Sequence, residues 1–295
     1  MKKRPLLMAS LTIGAMFLFF LLVILVSGSW RGHSDLVAVG EKIGIIEVVG
    51  PIDSSKLLIE QIHDFRDSRS VKAVVLRIDS PGGGVGPSQE IYSEVRKLAE
   101  VKPLIVSMGS VAASGGYYIA APASRLFANP GTITGSIGVI MSFANYQELL
   151  EKVGVKNQVV KSGKFKDIGS GSRSFTAAEE KLVQSLIDDV HAQFVEAISL
   201  GRKMSTEQVA RLADGRIFSG RQALDVGLVD ELGNLQDAIA YAAELAGLGT
   251  DPTLVYPRPE DKEFLERLLE NSLGRFGTEL VRKQSPGLEY LWPGF

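Results

Sequence analysis

Short apolar runs alternating with helical stretches constrain the fold of this chain more than any other feature. Ile43–Val49, Val71–Ile78, Pro103–Ser107, Arg125–Ala128, Gly138–Ser142 and Lys156–Lys161 have the length and β-rich character of strands. Between them Ser55–Asp67, Gln89–Glu100, Gly115–Ala121 and Asn145–Val153 have helical character. Several of the strand-like runs are apolar throughout, the pattern of strands covered by helices on both faces. The order predicts an α/β fold with mainly parallel pairing. Helices are expected to dominate from Thr176 to about Gly247, with Thr176-Ala177-Ala178-Glu179 as a capping box. Residues 248–295 lack clear periodicity beyond Glu260–Leu273 and read as a tail.

The other end is different. Leu6 to Ser29 carries no charge and follows Met1-Lys2-Lys3-Arg4. About 20 apolar residues span a bilayer core, whereas a cleavable signal has an apolar region of about 7–15. Residues 1–30 therefore read as a basic tip and a transmembrane anchor, with Ser27-Gly28-Ser29 as an alternative cleavage site. The basic residues favour the cytoplasmic side, which puts everything after Trp30 on the extracytoplasmic face. Residues 31–41 read as a linker, and 42–247 as the main domain. With a net charge of -2, nothing points to a nucleic-acid partner. The chain has no cysteine, which excludes disulfides, thiolate metal sites and cysteine nucleophiles.

The candidate chemistry centres on Ser114 in Met108-Gly109-Ser110-Val111-Ala112-Ala113-Ser114-Gly115-Gly116-Tyr117-Tyr118. It stands between an apolar run and a helical one, beside the unpaired N–H groups of a helix start. The two glycines after it let a substrate backbone approach closely. Such a serine needs a base. The three histidines are His33 in the linker, His63 on a charged helix face, and His191 after Asp188-Asp189 on an amphipathic helix. His63 and His191 read more readily as solvated structural residues. Ala112-x-Ser114-x-Gly116 is a variant of the hydrolase nucleophile elbow, but its histidine would have to be His191, around which no motif stands. Lysine is the usual alternative when burial keeps it neutral. Lys161-Ser162-Gly163-Lys164-Phe165-Lys166-Asp167 is the obvious source, and on chemistry alone it reads equally well as a solvated basic loop. Arg77-Ile78-Asp79-Ser80-Pro81-Gly82-Gly83-Gly84 closes the strongest strand and offers either oxyanion-hole amides or an ordinary tight turn. Ser136, in Thr134-Gly135-Ser136-Ile137-Gly138, is a partner for the base or a turn residue.

Taken in order, Arg77–Val85, Ser107–Ala121, Asn129–Ile140, the Lys161–Ile168 loop and Gly215–Gly233 resemble the signal peptide peptidase A (SppA) family. These are serine–lysine peptidases of the ClpP/crotonase superfamily, and the resemblance runs from about Lys42 to Gly247. It implies a fold of repeated ββα units with a helical C-terminal part. It also implies Ser114 as nucleophile, Lys166 as general base, Ser136 as the residue that orients the lysine, and the Gly83 and Gly115 amides as oxyanion hole. No metal or cofactor is implied. The substrates would be signal peptides already released by signal peptidase, and the location a prokaryotic cytoplasmic membrane. A lysine base further implies a basic pH optimum. With one module, the resemblance implies a homo-oligomeric ring or dome in which a neighbouring protomer supplies the lysine. Two other classes stay open: a crotonase-like enzyme acting on acyl-CoA, and a non-catalytic membrane scaffold.

Overall fold

The computed structural model describes residues 40–257 and 288–294, together with Met16 and Phe19. Apart from those two residues, the expected membrane anchor (residues 6–29) lies outside the described residues. Among the described residues no helix is long and apolar enough to cross a membrane.

The chain runs β1 (Lys42–Val49), α1 (Lys56–Asp67), β2 (Val71–Ser80), β3 (Gly82–Gly84), α2 (Val85–Val101), β4 (Leu104–Ala113), α3 (Gly115–Ala120), β5 (Arg125–Ala128), β6 (Ile133–Gly135) and α4 (Gln147–Lys152). It continues with α5 (Ala177–Arg202), α6 (Thr206–Ala210), β7 (Ile217–Ser219), α7 (Gly220–Asp225), β8 (Glu231–Leu232), α8 (Leu235–Leu245), β9 (Thr253–Val255) and β10 (Glu289–Leu291). The main sheet has the order β7-β6-β4-β2-β1-β9, with β5 and β8 branching from β4. Its ladders are parallel except β6 with β7.

The uninterrupted apolar runs follow from helices on both faces. Ile46, Val48, Val74, Leu76, Ile78, Val106 and Met108 join one core with Leu58, Ile62 and Phe65 of α1 and Ile91, Val95 and Leu98 of α2. The intervening residues Ile43, Ile45, Ala73, Val75 and Ile105 pack on Ala238, Ile239, Ala242 and Ala243 of α8. Strand periodicity of two thus serves two cores at once.

β4 is the strand that forks. Its first half pairs with β5 (Ile105↔Arg125 to Met108↔Ala128) and its second half with β6 (Val111↔Ile133 to Ala113↔Gly135). The switch coincides with a register break against β2, where Ile78 faces Met108 but Ser80 faces Ala112. A bulge of this kind re-aims a strand, and here it carries the end of β4 over to β6.

The structure departs from the sequence reading in three places. Lys156–Lys161 forms no strand, and Gly138–Ser142 contributes only an isolated bridge at Ile140. For the first the reason is plain. Val160 is fully solvent-exposed, so among the described residues the run meets no edge to pair with and no core to enter. The region 248–295, read as a tail, contains β9, which extends the main sheet beside β1, and β10, which pairs with β3.

Candidate active site

The β4–β6 ladder places the two serines. Ala113 is paired with Gly135, so Ser114 and Ser136 are each the next residue on neighbouring parallel strands. The Ser114 N–H donates to the Gly135 carbonyl at 2.8 Å, and the Ser136 N–H to the Arg216 carbonyl at 2.8 Å. Both serines leave their strands through positive φ, 52° and 50°. At Ser114, φ 52° with ψ -116° is a conformation that glycine adopts far more readily. It is held from both sides, because the Tyr118 N–H also donates to the Ser114 carbonyl at 2.8 Å as α3 begins. The Ser114 Oγ is buried and has no hydrogen-bond partner among the described residues.

The glycine run after β2 lies against this turn, backbone to backbone. A Cβ built on Gly82 would fall 2.6 Å from the Gly115 nitrogen, and one on Gly115 would fall 3.2 Å from the Gly82 Cα. Side chains at either position would drive the two segments apart. Gly82 also has φ +97°, and its N–H donates to the Ser80 Oγ at 3.1 Å. On its far side β3 is bonded to Ile52 (Gly84 N–H to the Ile52 carbonyl, 2.9 Å). On its near side it pairs with β10 in the register Gly83↔Tyr290. Asp79 fixes the fork of β4 by accepting from the Val111 N–H at 3.1 Å.

The three lysines of the loop are not equivalent. Lys161 is ion-paired to Asp167, and Lys164 lies over the Phe165 ring at 5.2 Å. Lys166 is exposed, and its amine makes no hydrogen bond or ion pair among the described residues. The loop is pinned at Asp167, whose carboxylate accepts from Arg173 Nε at 3.0 Å, and Arg173 Nη1 reaches the Glu179 carboxylate at 2.8 Å. Arg173, then Lys161, holds the Asp167 carboxyl well below the usual carboxylate range. Arg173, followed by the backbone N–H of Thr176, lowers Glu179 from 4.5 to about 2. Glu179 is also the last residue of the capping box expected at Thr176, and its carboxylate accepts from the Thr176 N–H at 2.8 Å.

Within this one chain, then, Ser114 and Ser136 are brought together and Lys166 is not joined to them. Around Lys166 the segment 146–165 turns Leu149, Val153, Val155, Val159 and Val160 to solvent. Beside Ser136 opens a cavity of about 500 Å³ lined also by Ile140, Asp188, His191, Leu291 and Trp292. The sequence reading left His191 as a solvated residue, but its Nε2 is buried and has no partner among the described residues. His63 pairs with Glu94 at 2.8 Å on the surface, as the structural reading has it. Among the described residues no group of His, Asp and Glu side chains is arranged to hold a metal ion.

One element at this site had no signal in the sequence. β10 is three residues long, follows a stretch without periodicity, and takes its conformation from pairing with β3 on one edge and bridging Ile140 on the other.

Comparison with known proteins gives consistent matches. The model of peptidase family S49 matches residues 96–249. The chain is 45% identical over 230 residues to a putative protease of Synechocystis sp., covering 77% of this chain and 83% of that one. It is 38% identical over 219 residues to the putative signal peptide peptidase SppA of Enterococcus faecium, covering 74% and 63%. With Protease 4 of Salmonella typhi the identity is 40% over 189 residues, which is 64% of this chain but 30% of that protein.

Proposed function

The chain belongs to peptidase family S49 and is a serine peptidase, and on that premise we propose that Ser114 and Lys166 form its catalytic dyad across two protomers. Its substrates are signal peptides already freed from their precursors. Residues 6–29 anchor it in a prokaryotic cytoplasmic membrane, with the catalytic domain on the extracytoplasmic side.

One observation carries this reading. The Ser114 Oγ is a buried hydroxyl with no partner, on a backbone turn that glycine would adopt more readily. A group in that state is positioned to react, and a base has to arrive from elsewhere. Lys166 is the lysine of its loop whose amine has no partner among the described residues, and the exposed apolar side chains of the segment before it suit a second copy of the chain. Ser136, next to Ser114 in register, accepts from that amine and aims it in this reading, which the shared β4–β6 register supports.

In the proposed reaction the neutral Lys166 amine takes the Ser114 hydroxyl proton as Oγ attacks the scissile carbonyl carbon. The Gly83 and Gly115 N–H groups stabilise the oxyanion. The C–N bond breaks as the lysine ammonium returns its proton to the leaving amine. Water, deprotonated by the same lysine, then hydrolyses the acyl-enzyme and regenerates Ser114.

The test uses the full chain in detergent with a synthetic signal peptide. Ser114→Ala and Lys166→Met are each expected to abolish cleavage, and Lys161→Met to retain it. Mixing subunits of Ser114→Ala with Lys166→Met is expected to restore activity, since an intact serine then meets an intact lysine. Activity in Lys166→Met overturns the base assignment, and failure of the mixture overturns donation between protomers. The rate should climb with pH into the alkaline range, because only the neutral amine accepts a proton.

A further inference from the structure

Arg77 opens the motif that ends in Gly82-Gly83-Gly84, yet the proposed reaction gives it no task. It stands where the helical cover of the sheet ends. Helix α8 packs on the face that carries Val75, Ile105 and Phe127. Two residues further along β2 and β4 the same face carries the register pair Arg77↔Ser107, and Asn129 stands just past the end of β5. The Arg77 Nη1 donates to the Ser107 Oγ at 2.9 Å and to the Met108 carbonyl at 3.1 Å, which uses both of its protons. The Nε–H and the two protons of Nη2 have no hydrogen-bond partner and no ion pair among the described residues. A guanidinium keeps its charge throughout the pH range of proteins, so a half-buried cation is held here with one edge unused.

That edge lines a cavity of about 510 Å³, distinct from the one beside Ser136. The fork of β4 creates it. Pairing with β5 stops at Met108 and pairing with β6 starts at Val111, while the register against β2 passes from Met108 to Ala112. Gly109 and Ser110 therefore have no register partner on either side. In open parallel sheets the crevice outside the carboxyl ends of the strands is where ligands are taken. The walls of this one divide by chemistry. Arg77, Ser110, Asn129 and Thr132 supply polar groups, and the ladder pair Val111↔Ile133 supplies apolar ones. Asn129 commits its Nδ2 to the Met108 carbonyl at 3.3 Å, which leaves one amide proton without a partner.

We propose that this cavity binds a ligand with a single carboxylate on an apolar body, its two oxygens accepting from Nε and Nη2 of Arg77. The unused edge of the guanidinium is the fork that matches a carboxylate in bidentate fashion. Charge narrows the class further. Glu47 is opposite Arg77 in the β1–β2 register, and Asp79 follows two residues later on the same face, accepting from the Val111 N–H at 3.1 Å. With two carboxylates nearby, one guanidinium balances one negative charge, and a phosphate dianion is repelled. Val111 and Ile133 cover the carbon chain. A peptide C-terminus and a free organic acid share this chemistry. The cavity lies three residues before Ser114 on β4 and three before Ser136 on β6, about 10 Å of strand, so its occupant is separate from the dyad. Nothing in the proposal depends on what Ser114 does.

Isothermal titration of the full chain in detergent tests it, with N-acetyl-leucine as the probe. N-acetyl-leucinamide, which lacks the charge, should bind at least roughly tenfold more weakly. Ser110→Glu places a carboxylate of the chain itself at the exposed lip of the cavity and should abolish binding, whereas Ser110→Gln should retain it. Arg77→Lys keeps the charge but loses the fork, and should weaken binding roughly tenfold. Urea midpoints establish that each variant is folded, and Ser110→Glu decides the matter if Arg77→Lys is not. Wild-type protein labelled at Ser114 with a fluorophosphonate should bind N-acetyl-leucine as before. The peptide Ala-Ala-Ala-Leu as free acid separates the two sources: affinity equal to that of N-acetyl-leucine assigns the cavity to peptide ends, and exclusion assigns it to free acids. No binding of N-acetyl-leucine, equal binding of acid and amide, tighter binding of inorganic phosphate, undiminished binding in Ser110→Glu, or loss of binding on labelling would each overturn the proposal. Carboxylate binding in a protein that neither labels nor cuts peptide leaves this site intact and refutes the reading of Ser114.

Discussion

Ser114 stores free energy that can be measured by removing it. Two costs are visible at this residue. Its hydroxyl is buried without a partner, a loss of about 1–3 kcal/mol. Its backbone sits at φ 52° and ψ -116°, a further cost on the order of 1–3 kcal/mol for a residue with a Cβ. Ser114→Ala removes the first and keeps the second, so it should stabilise the protein by about 1–3 kcal/mol. For a domain of this size that raises Tm by roughly 2–4 °C per kcal/mol. Ser114→Gly removes both, less about 0.5–1 kcal/mol for the added freedom of the unfolded chain. It should be at least as stable as Ser114→Ala. Urea denaturation of all three proteins at one subunit concentration reads the differences directly, and holding that concentration fixed removes any contribution from assembly. Both variants should be inactive toward peptide. A Ser114→Ala protein no more stable than the wild type would mean that the hydroxyl has a partner, and the account of a strained, unpaired nucleophile would fail.

Two further outcomes follow from parts of the molecule away from Ser114. Glu179 is lowered to about 2 in the folded protein from an ordinary 4.5, with Arg173 as the leading cause. The depressed value means that its stabilisation is complete above about pH 4.5 and is lost as the pH falls towards 2. Urea midpoints between pH 7 and pH 2 should show this loss, and Glu179→Gln should flatten it; an unchanged profile in the variant would rule the pair out as its source. Gly44→Ala would bring a Cβ to 2.5 Å from the Phe65 ring inside the main core. It should cost about 1–3 kcal/mol in denaturation experiments, while Ser114 labelling by a fluorophosphonate proceeds as in the wild type.

The sequence carried the larger elements because each buries a patterned face. β1, β2 and the first half of β4 are apolar on both faces because two helical layers cover them, and that pattern is visible in single-letter code. The capping box at Thr176 is equally local and forms as read. Elements of two or three residues were not legible: β3, β6, β7, β8, β9 and β10 are too short to have a period, and each exists because a neighbour offers an edge. Of the candidate site, Ser114 and Ser136 are brought side by side by the β4–β6 register, which no spacing in the sequence encodes. The choice among Lys161, Lys164 and Lys166 was open on residue chemistry. It becomes physical only when Asp167 is seen to take Lys161. The run Lys156–Lys161 failed as a strand for the opposite reason: its pattern is right, but among the described residues nothing lies beside it to pair with.

Helix α5 ties together regions that look independent on paper. Its 26 residues make a rod about 39 Å long. At its first turn Glu179 clamps Arg173, and through Asp167 the loop that bears Lys166. Further along, the Val190 carbonyl accepts from the Tyr290 hydroxyl of β10, and Phe194 packs on the Tyr290 ring. The rod is packed along its length, so a tilt that fits a bulkier side chain near Phe194 also shifts Glu179 at the far end and the Arg173–Asp167 clamp it holds. Substitution at Phe194 will therefore be felt in the loop that bears Lys166.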